Sequence, residues 1–211
     1  MENLLTGEKE FLGFYFTGHP LDKYRQMLKA YRLTEIKDIV SDMPLHIKTY
    51  GMVRNLKKVI TKKSGQVMGV FDLEDYYGRI GAVAFPRDYQ KMGHYLLDGA
   101  PLYVEGVVQT DHFGGHEEKK IIIREVRPLD EIGEVPRFKV YILIDQEDKP
   151  KLTALKEIIS RHQGDHRIFL ALREKDEKKT VELDKKYRVT PSKYFISEVV
   201  RLLGIENIVI K

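Results

Sequence analysis

Between Pro44 and Asp130 the chain alternates β-type runs with turn signals, and that rhythm breaks only once. Leu45 to Ile60 is rich in β-branched and apolar residues around Gly51, and Lys62-Lys63-Ser64-Gly65 then reads as a turn. Val67 to Leu73 is a second run, Asp75-Tyr76-Tyr77-Gly78 another turn, and Arg79 to Phe85 a third run. Pro86 suits the first turn of a helix, which the pattern carries to Leu97. Leu102 to Thr110 and Lys120 to Val126 complete the set, on either side of a glycine-rich tip, His112-Phe113-Gly114-Gly115-His116. Three strands, one helix and two strands leave few ways to close a core.

That order is the order of a five-stranded OB-fold barrel, in which the loops after strands one and four flank a nucleic-acid cleft. One domain is therefore expected over residues 44–130. Ahead of it, residues 1–43 read as a short helical segment: Thr17-Gly18-His19-Pro20 is a turn, Leu21, Tyr24, Arg25 and Leu28 follow at helical spacing, and a second helix is expected from Thr34 to before Pro44. Too short for its own core, this segment suits a piece of a longer chain. Ile132-Gly133-Glu134-Val135-Pro136 reads as a linker. Residues 137–211 then run strand (Phe138 to Ile144), helix (Pro150 to Ser160), strand (Ile168 to Arg173) and strand (Lys179 to Leu183). A helix bearing Tyr194, Val199 and Leu202, capped by Thr190 or Ser192, and a strand (Asn207 to Ile210) follow. The fold class expected is α+β, mainly β: an OB-fold barrel followed by a small β-α-β-β-α-β sandwich domain, with a helical N-terminal segment.

Charge is distributed unevenly. Pro44 to Phe71 holds Lys48, Arg54, Lys57, Lys58, Lys62 and Lys63 and no acid, whereas Asp72 to Asp130 holds eleven acids against seven bases. A one-sided basic stretch within a chain of net charge +4 is the footprint of a polyanion-binding surface. Lysines follow phosphates, and an aromatic ring at a loop tip stacks on a base without reading its identity. The expected nucleic-acid-binding residues are Arg54, Lys57, Lys58, Lys62, Lys63, Arg79 and Phe113, with Phe71 in the core. The competing reading is a solvated lysine hairpin. The bases of the last domain, 17 against 12 acids, are scattered, a pattern of solubility that points to protein docking there.

Several chemistries lack support. There is no cysteine, hence no disulfide, thiolate nucleophile or zinc ribbon. Asp111, His112 and His116, or His162, Asp165 and His166, offer imidazole and carboxylate ligands, but both sets fall in turns where such residues serve local hydrogen bonding. No Ser-His-Asp arrangement or Gly-x-x-x-x-Gly-Lys loop occurs. Catalysis, a cofactor, a metal and a small-molecule substrate are all unexpected. No apolar run approaches the ~18 residues of a membrane span. Glu2, Glu8, Lys9 and Glu10 are unlike a signal peptide, so a cytoplasmic protein without membrane contact is the plain reading.

The run from Glu8 through Phe14-Tyr15-Phe16-Thr17-Gly18-His19-Pro20-Leu21 resembles the stretch before the OB domain in the alpha subunit of bacterial DNA polymerase III. Lys62 to Asp75 and Gly78 to Pro86 resemble that OB domain, and Pro136 to Ile210 with Leu203-Gly204-Ile205-Glu206-Asn207 resembles the small C-terminal domain. The resemblance implies a non-catalytic piece of a replicative polymerase. Its OB domain would bind single-stranded template DNA, and its last domain would dock replisome proteins, the clamp-loader tau subunit among them. The family's closely spaced metal-holding aspartates have no counterpart, since Asp72, Glu74 and Asp75 fall at a strand-to-turn position, and no copy of the clamp-binding peptide is evident. Two alternatives remain open: a spacer module that makes no DNA contact, and an RNA-binding OB protein such as a tRNA-anticodon module.

Overall fold

The computed structural model describes residues 18–39, 46–62, 64–113, 116–136, 138–145, 147–174 and 177–211, with side chains described outside 111–117 and 174–178. Lys63, Leu45 and Glu8 to Thr17 lie outside the described residues, as does the side chain of Phe113. The chain divides into two compact units, and each is built from its own strands.

The first unit is a closed barrel of β1 (His46–Ile60), β2 (Val67–Glu74), β3 (Arg79–Ala84), β4 (Pro101–Phe113) and β5 (His116–Pro128) in the order β1-β2-β3-β5-β4. β1 serves two neighbours: His46 to Met52 pair with β4, and Met52 to Ile60 pair with β2. The corner falls at Gly51, where a Cβ would lie 2.7 Å from the Leu73 side chain and 2.8 Å from the Glu74 carbonyl oxygen. Only glycine lets the two strands approach that closely. Parallel pairing of β3 with β5, Gly81 opposite Lys120 and Val83 opposite Ile122, closes the barrel. Alternation turns Val53, Phe71, Leu73, Ala82, Val104, Ile121 and Ile123 inward, each at most 2% exposed. Burying such side chains contributes about 1.5–3 kcal/mol apiece. The helix α2 (Pro86–Met92) links β3 to β4, and Met92 and Leu96 join the barrel core.

Asp75 holds the β2–β3 turn. Its buried carboxylate accepts the backbone N–H groups of Tyr77 (2.7 Å), Gly78 (3.0 Å) and Ile36 (2.7 Å). Close by, burial first and then the carboxylates of Asp75 and Glu35 push the Tyr50 phenol far above its usual range. The helix expected from Thr34 is a single 3-10 turn, Ile36–Asp38, among the described residues. Thr34 instead bridges to Thr49 on β1, whose hydroxyl donates to the Thr34 carbonyl at 2.7 Å.

The second unit is a four-stranded sheet, β10-β6-β8-β9, made of β6 (Val140–Asp145), β8 (Ile168–Glu174), β9 (Glu177–Glu182) and β10 (Ile208–Ile210). Helix α3 (Lys149–Arg161), capped by Asp148 accepting from the Lys151 N–H, and the short β7 (Gln163–His166) lead from β6 to its parallel neighbour β8. Helix α4 (Lys193–Leu203) leads from β9 to β10, and of the two expected caps Ser192 is the one used. Tyr194 is 67% exposed, so it lies off the core stripe made by Phe195, Ile196 and Val199. Helix α1 (Arg25–Tyr31) precedes the barrel in sequence but groups with this unit, packing on α4 and β10. The Tyr31 hydroxyl donates to the Pro191 carbonyl at 2.7 Å, and its ring meets Phe138 edge-on at 4.8 Å.

The expected linker is not open chain. Leu129–Glu134 forms a 3-10 helix with Leu129 and Ile132 fully buried, and Val135 is 1% exposed. Three apolar side chains at i, i+3 and i+6 pack there, which outweighs the turn signal of Gly133 and Pro136.

Candidate nucleic-acid interface

Past Arg54 the β1–β2 ladder slips by one residue, from Arg54 opposite Asp72 to Lys57 opposite Val70. The bulge sits at Asn55, whose φ of 54° is left-handed. Asn tolerates that region, and its side-chain amide donates to Asp72 Oδ2 at 2.7 Å. Beyond the bulge, Lys57, Lys58, Val59 and Ile60 are all exposed, and Ile60 reaches 68%. The turn is closed by Thr61 N–H to the Gln66 carbonyl (2.9 Å) and Gly65 N–H to the Thr61 carbonyl (2.9 Å), with Gly65 at φ 65°. Among the described residues Lys57, Lys58 and Lys62 make no ion pair or side-chain hydrogen bond.

Register assigns the lysines to different faces. Lys57 stands opposite Val70 and Val59 opposite Met68, all on the outer face of the barrel. Lys58 stands opposite Gly69, on the side where a Cβ at Gly69 would meet the Tyr89 ring at 2.9 Å. Only Lys57 therefore shares the outer face of β2 and β3. That face carries half-buried Met68, Val70 and Val83, the open position of Gly81, Lys120 from β5, and Phe85 at 43% exposure where β3 ends. Sequence reasoning passed over Val70, Val83, Lys120 and Phe85. The signal was available, because strict alternation with an inward Phe71 turns Val70 outward.

The two arginines are differently placed. Arg79 Nη2 lies 2.6 Å from Glu74 Oε2 and its Nη1 3.6 Å from Asp72 Oδ2, while Arg54 Nε lies 3.5 Å from Glu74 Oε1. The Arg54 and Glu74 side chains are 12% and 7% exposed. Two carboxylates thus offset two guanidinium charges at one end of the face, which leaves the lysine hairpin as the stronger cationic feature. On the far side β4 and β5 run as one hairpin to Phe113 opposite His116, longer than expected by three residues on β4 and four on β5.

The second histidine set forms no ligand cluster. Both His166 ring nitrogens face carbonyl oxygens, Val189 at 3.1 Å and Val135 at 2.8 Å, and His162 Nε2 is 3.6 Å from Glu198. The first set, Asp111, His112 and His116, lies outside the described side chains. No described helix is long and apolar enough to cross a membrane.

Residues 47–129 match the family model described as an OB-fold nucleic acid binding domain. DNA polymerase III subunit alpha of Halalkalibacterium halodurans is 29% identical over 210 residues, covering 98% of this chain and 18% of that subunit. The Bacillus subtilis subunit is 27% identical over 211 residues, again 18% of its length, and the Aquifex aeolicus one 33% identical over 168 residues, 14% of its length. The chain therefore spans less than a fifth of the length of these curated relatives. Among solved structures, a mitochondrial single-stranded DNA binding protein from S. cerevisiae aligns at TM-score 0.34 and 12% identity, covering 40% of this chain and 94% of that one. A barrel of five strands matched as an OB-fold nucleic acid binding domain, within a chain similar end to end to one subunit, makes this chain a homologue of the C-terminal region of bacterial DNA polymerase III subunit alpha.

Proposed function

We propose that the barrel holds single-stranded DNA along the outer face of β2 and β3, as a non-catalytic part of a replicative polymerase. The observation that carries this reading is the β1–β2 hairpin: Lys57, Lys58 and Lys62 stand exposed, without an anionic partner among the described residues, beside the apolar strip of Val70 and Val83. Phosphates neutralise such lysines with release of counterions, and bases cover the apolar strip. The β4–β5 hairpin bounds the strip on the other side and brings Phe113 to its tip. Arg54 and Arg79 support the face from their carboxylate partners, with Arg79, at 45% exposure, the one able to reach a strand.

The polymerase relatives and the OB-domain match support DNA as the polyanion, so the strand bound is taken to be template near the polymerase site. Capture is electrostatic and by stacking, with no covalent step. The resemblance also points to the second unit as the docking part for the clamp-loader tau subunit, and a groove between α3 and α4, lined by Ile158, Arg161, Glu198, Arg201 and Leu202, offers it a surface. The test is a titration of a fluorescein-labelled (dT)20 oligonucleotide at several salt concentrations. Binding that weakens linearly in log salt, and exceeds binding to a duplex of equal length, supports the reading. Absence of binding at low salt favours the spacer alternative.

A further inference from the structure

The four-stranded sheet of the second unit has one covered face and one open face. Val140, Ile142, Ile144, Ile168, Ile208 and Ile210 are each at most 4% exposed, and α1 and α4 pack on β10. The alternate positions face the other way and remain half-buried or exposed: Val209 on β10, Tyr141 on β6, Phe169 on β8 and Glu182 on β9 form one row across the four strands. At its centre the Tyr141 and Phe169 rings lie 4.9 Å apart and 18° from parallel.

Cations surround this ring pair. Lys211 Nζ lies 5.7 Å from the Tyr141 ring centroid, and Lys139 Nζ and the Arg167 guanidinium lie 6.0 and 5.9 Å from that of Phe169. Arg167 has an acid at its far side, Glu182 at 3.5 Å, with both side chains 44% exposed. Such an exposed pair holds little energy and gives way easily to a phosphate. At the rim Asp145 and Arg173 are 3.6 Å apart and offset each other. Two aromatic rings on the open face of a sheet, with lysines on both sides, are a poor surface to leave in water. They are suited to a chain that alternates flat π-systems with anions. A protein partner with an acidic surface would satisfy the lysines but leave the ring pair without a reason to be parallel and central.

We propose that this open face is a second site for single-stranded DNA, in which Tyr141 and Phe169 stack bases while Lys139, Arg167 and Lys211 contact phosphates. The inference stands apart from the barrel reading, since it uses no residue of the barrel. It also revises the expectation that the last domain handles protein alone.

The test uses the whole chain and fluorescein-labelled (dT)20, in the parent and in a K57A/K58A/K62A background that weakens the barrel hairpin. Tyr141→Leu and Phe169→Leu keep an apolar side chain while removing the ring. Each should lower affinity by about 5- to 150-fold, from ~1–3 kcal/mol of stacking per base, with the salt slope unchanged. K139A/K211A, which alters only side-chain ends at the surface, should flatten the slope by about 1.4 units, and it carries the test if a leucine variant melts early. Ultraviolet crosslinking should attach the oligonucleotide to peptides bearing Tyr141 or Phe169 in both backgrounds. If the ring variants lose affinity while the hairpin variant does not, the barrel reading fails and this one holds. Parental affinity and slope in the ring and lysine variants, with crosslinks confined to residues 46–128, would overturn the proposal. So would ring variants that lose binding to poly-glutamate while keeping that to (dT)20, the signature of a protein-docking face.

Discussion

Lys57 and Lys58 are neighbours in sequence, yet they stand on opposite faces of the β1–β2 ribbon, opposite Val70 and Gly69 respectively. If DNA runs along the outer face, the two should not be equivalent. Each phosphate contact on a single strand contributes about 0.7 to the slope of log affinity against log salt. Losing one contact therefore weakens binding by about fivefold at 0.1 M salt and about twofold at 0.4 M. Lys57→Ala is expected to show both the loss and the flatter slope, whereas Lys58→Ala should shift either by less than half as much. Changing Lys57, Lys58, Lys62 and Lys63 together should flatten the slope by up to about 2.8 units. The assay is fluorescence anisotropy with (dT)20 between 0.05 and about 0.5 M salt, a window in which Debye screening leaves direct contacts dominant. Equal effects of Lys57→Ala and Lys58→Ala would refute the assignment of DNA to one face. An unchanged slope in the fourfold variant would reduce the hairpin to a solvated loop.

Three further outcomes follow from the geometry. Phe113→Ala should lower affinity by ~1–3 kcal/mol with the salt slope preserved, because stacking releases few counterions; a changed slope would mean the tip acts through charge. Gly51→Ala should destabilise the barrel by about 1–3 kcal/mol in urea unfolding, since its Cβ would press on the Leu73 side chain and on backbone at Glu74; a neutral substitution would show that the β1 corner gives way. Tyr50, 4% exposed, should stay protonated past the ordinary phenol range. Because its folded-state pKa is raised, its contribution to stability is complete below about pH 10 and declines above it, so absorbance at alkaline pH should show this tyrosine ionising only with unfolding, and early ionisation would contradict the burial.

The barrel was legible because its information is local. Turn residues punctuate the runs, Pro86 opens a helix, and alternation alone turned Phe71 inward. What escaped was set by partners distant in sequence. Arg54 and Arg79 read as free cations until register brought Asp72 and Glu74 beside them. The bulge at Asn55 needed a left-handed residue inside a strand, which no turn signal announces, and it decides which lysine faces outward. Helix α1 carries its spacing plainly, but its tie to Pro191 spans 160 residues. The Gly133 and Pro136 signals suggested open chain where Leu129, Ile132 and Val135 pack instead. In the last unit the bases looked scattered, although Lys139, Arg167 and Lys211 come together around one ring pair.

Hydrogen–deuterium exchange of the whole chain, with and without saturating (dT)20, tests the central claim most directly. Backbone amides of the β1–β2 hairpin past Asn55, residues 56–70, are exposed at the edge of the barrel and should exchange measurably in the free protein. With DNA bound along the outer face, those amides and the β4–β5 hairpin near residues 109–120 should gain protection, while α2 should not. Binding that protects neither hairpin would contradict a DNA path across β2 and β3.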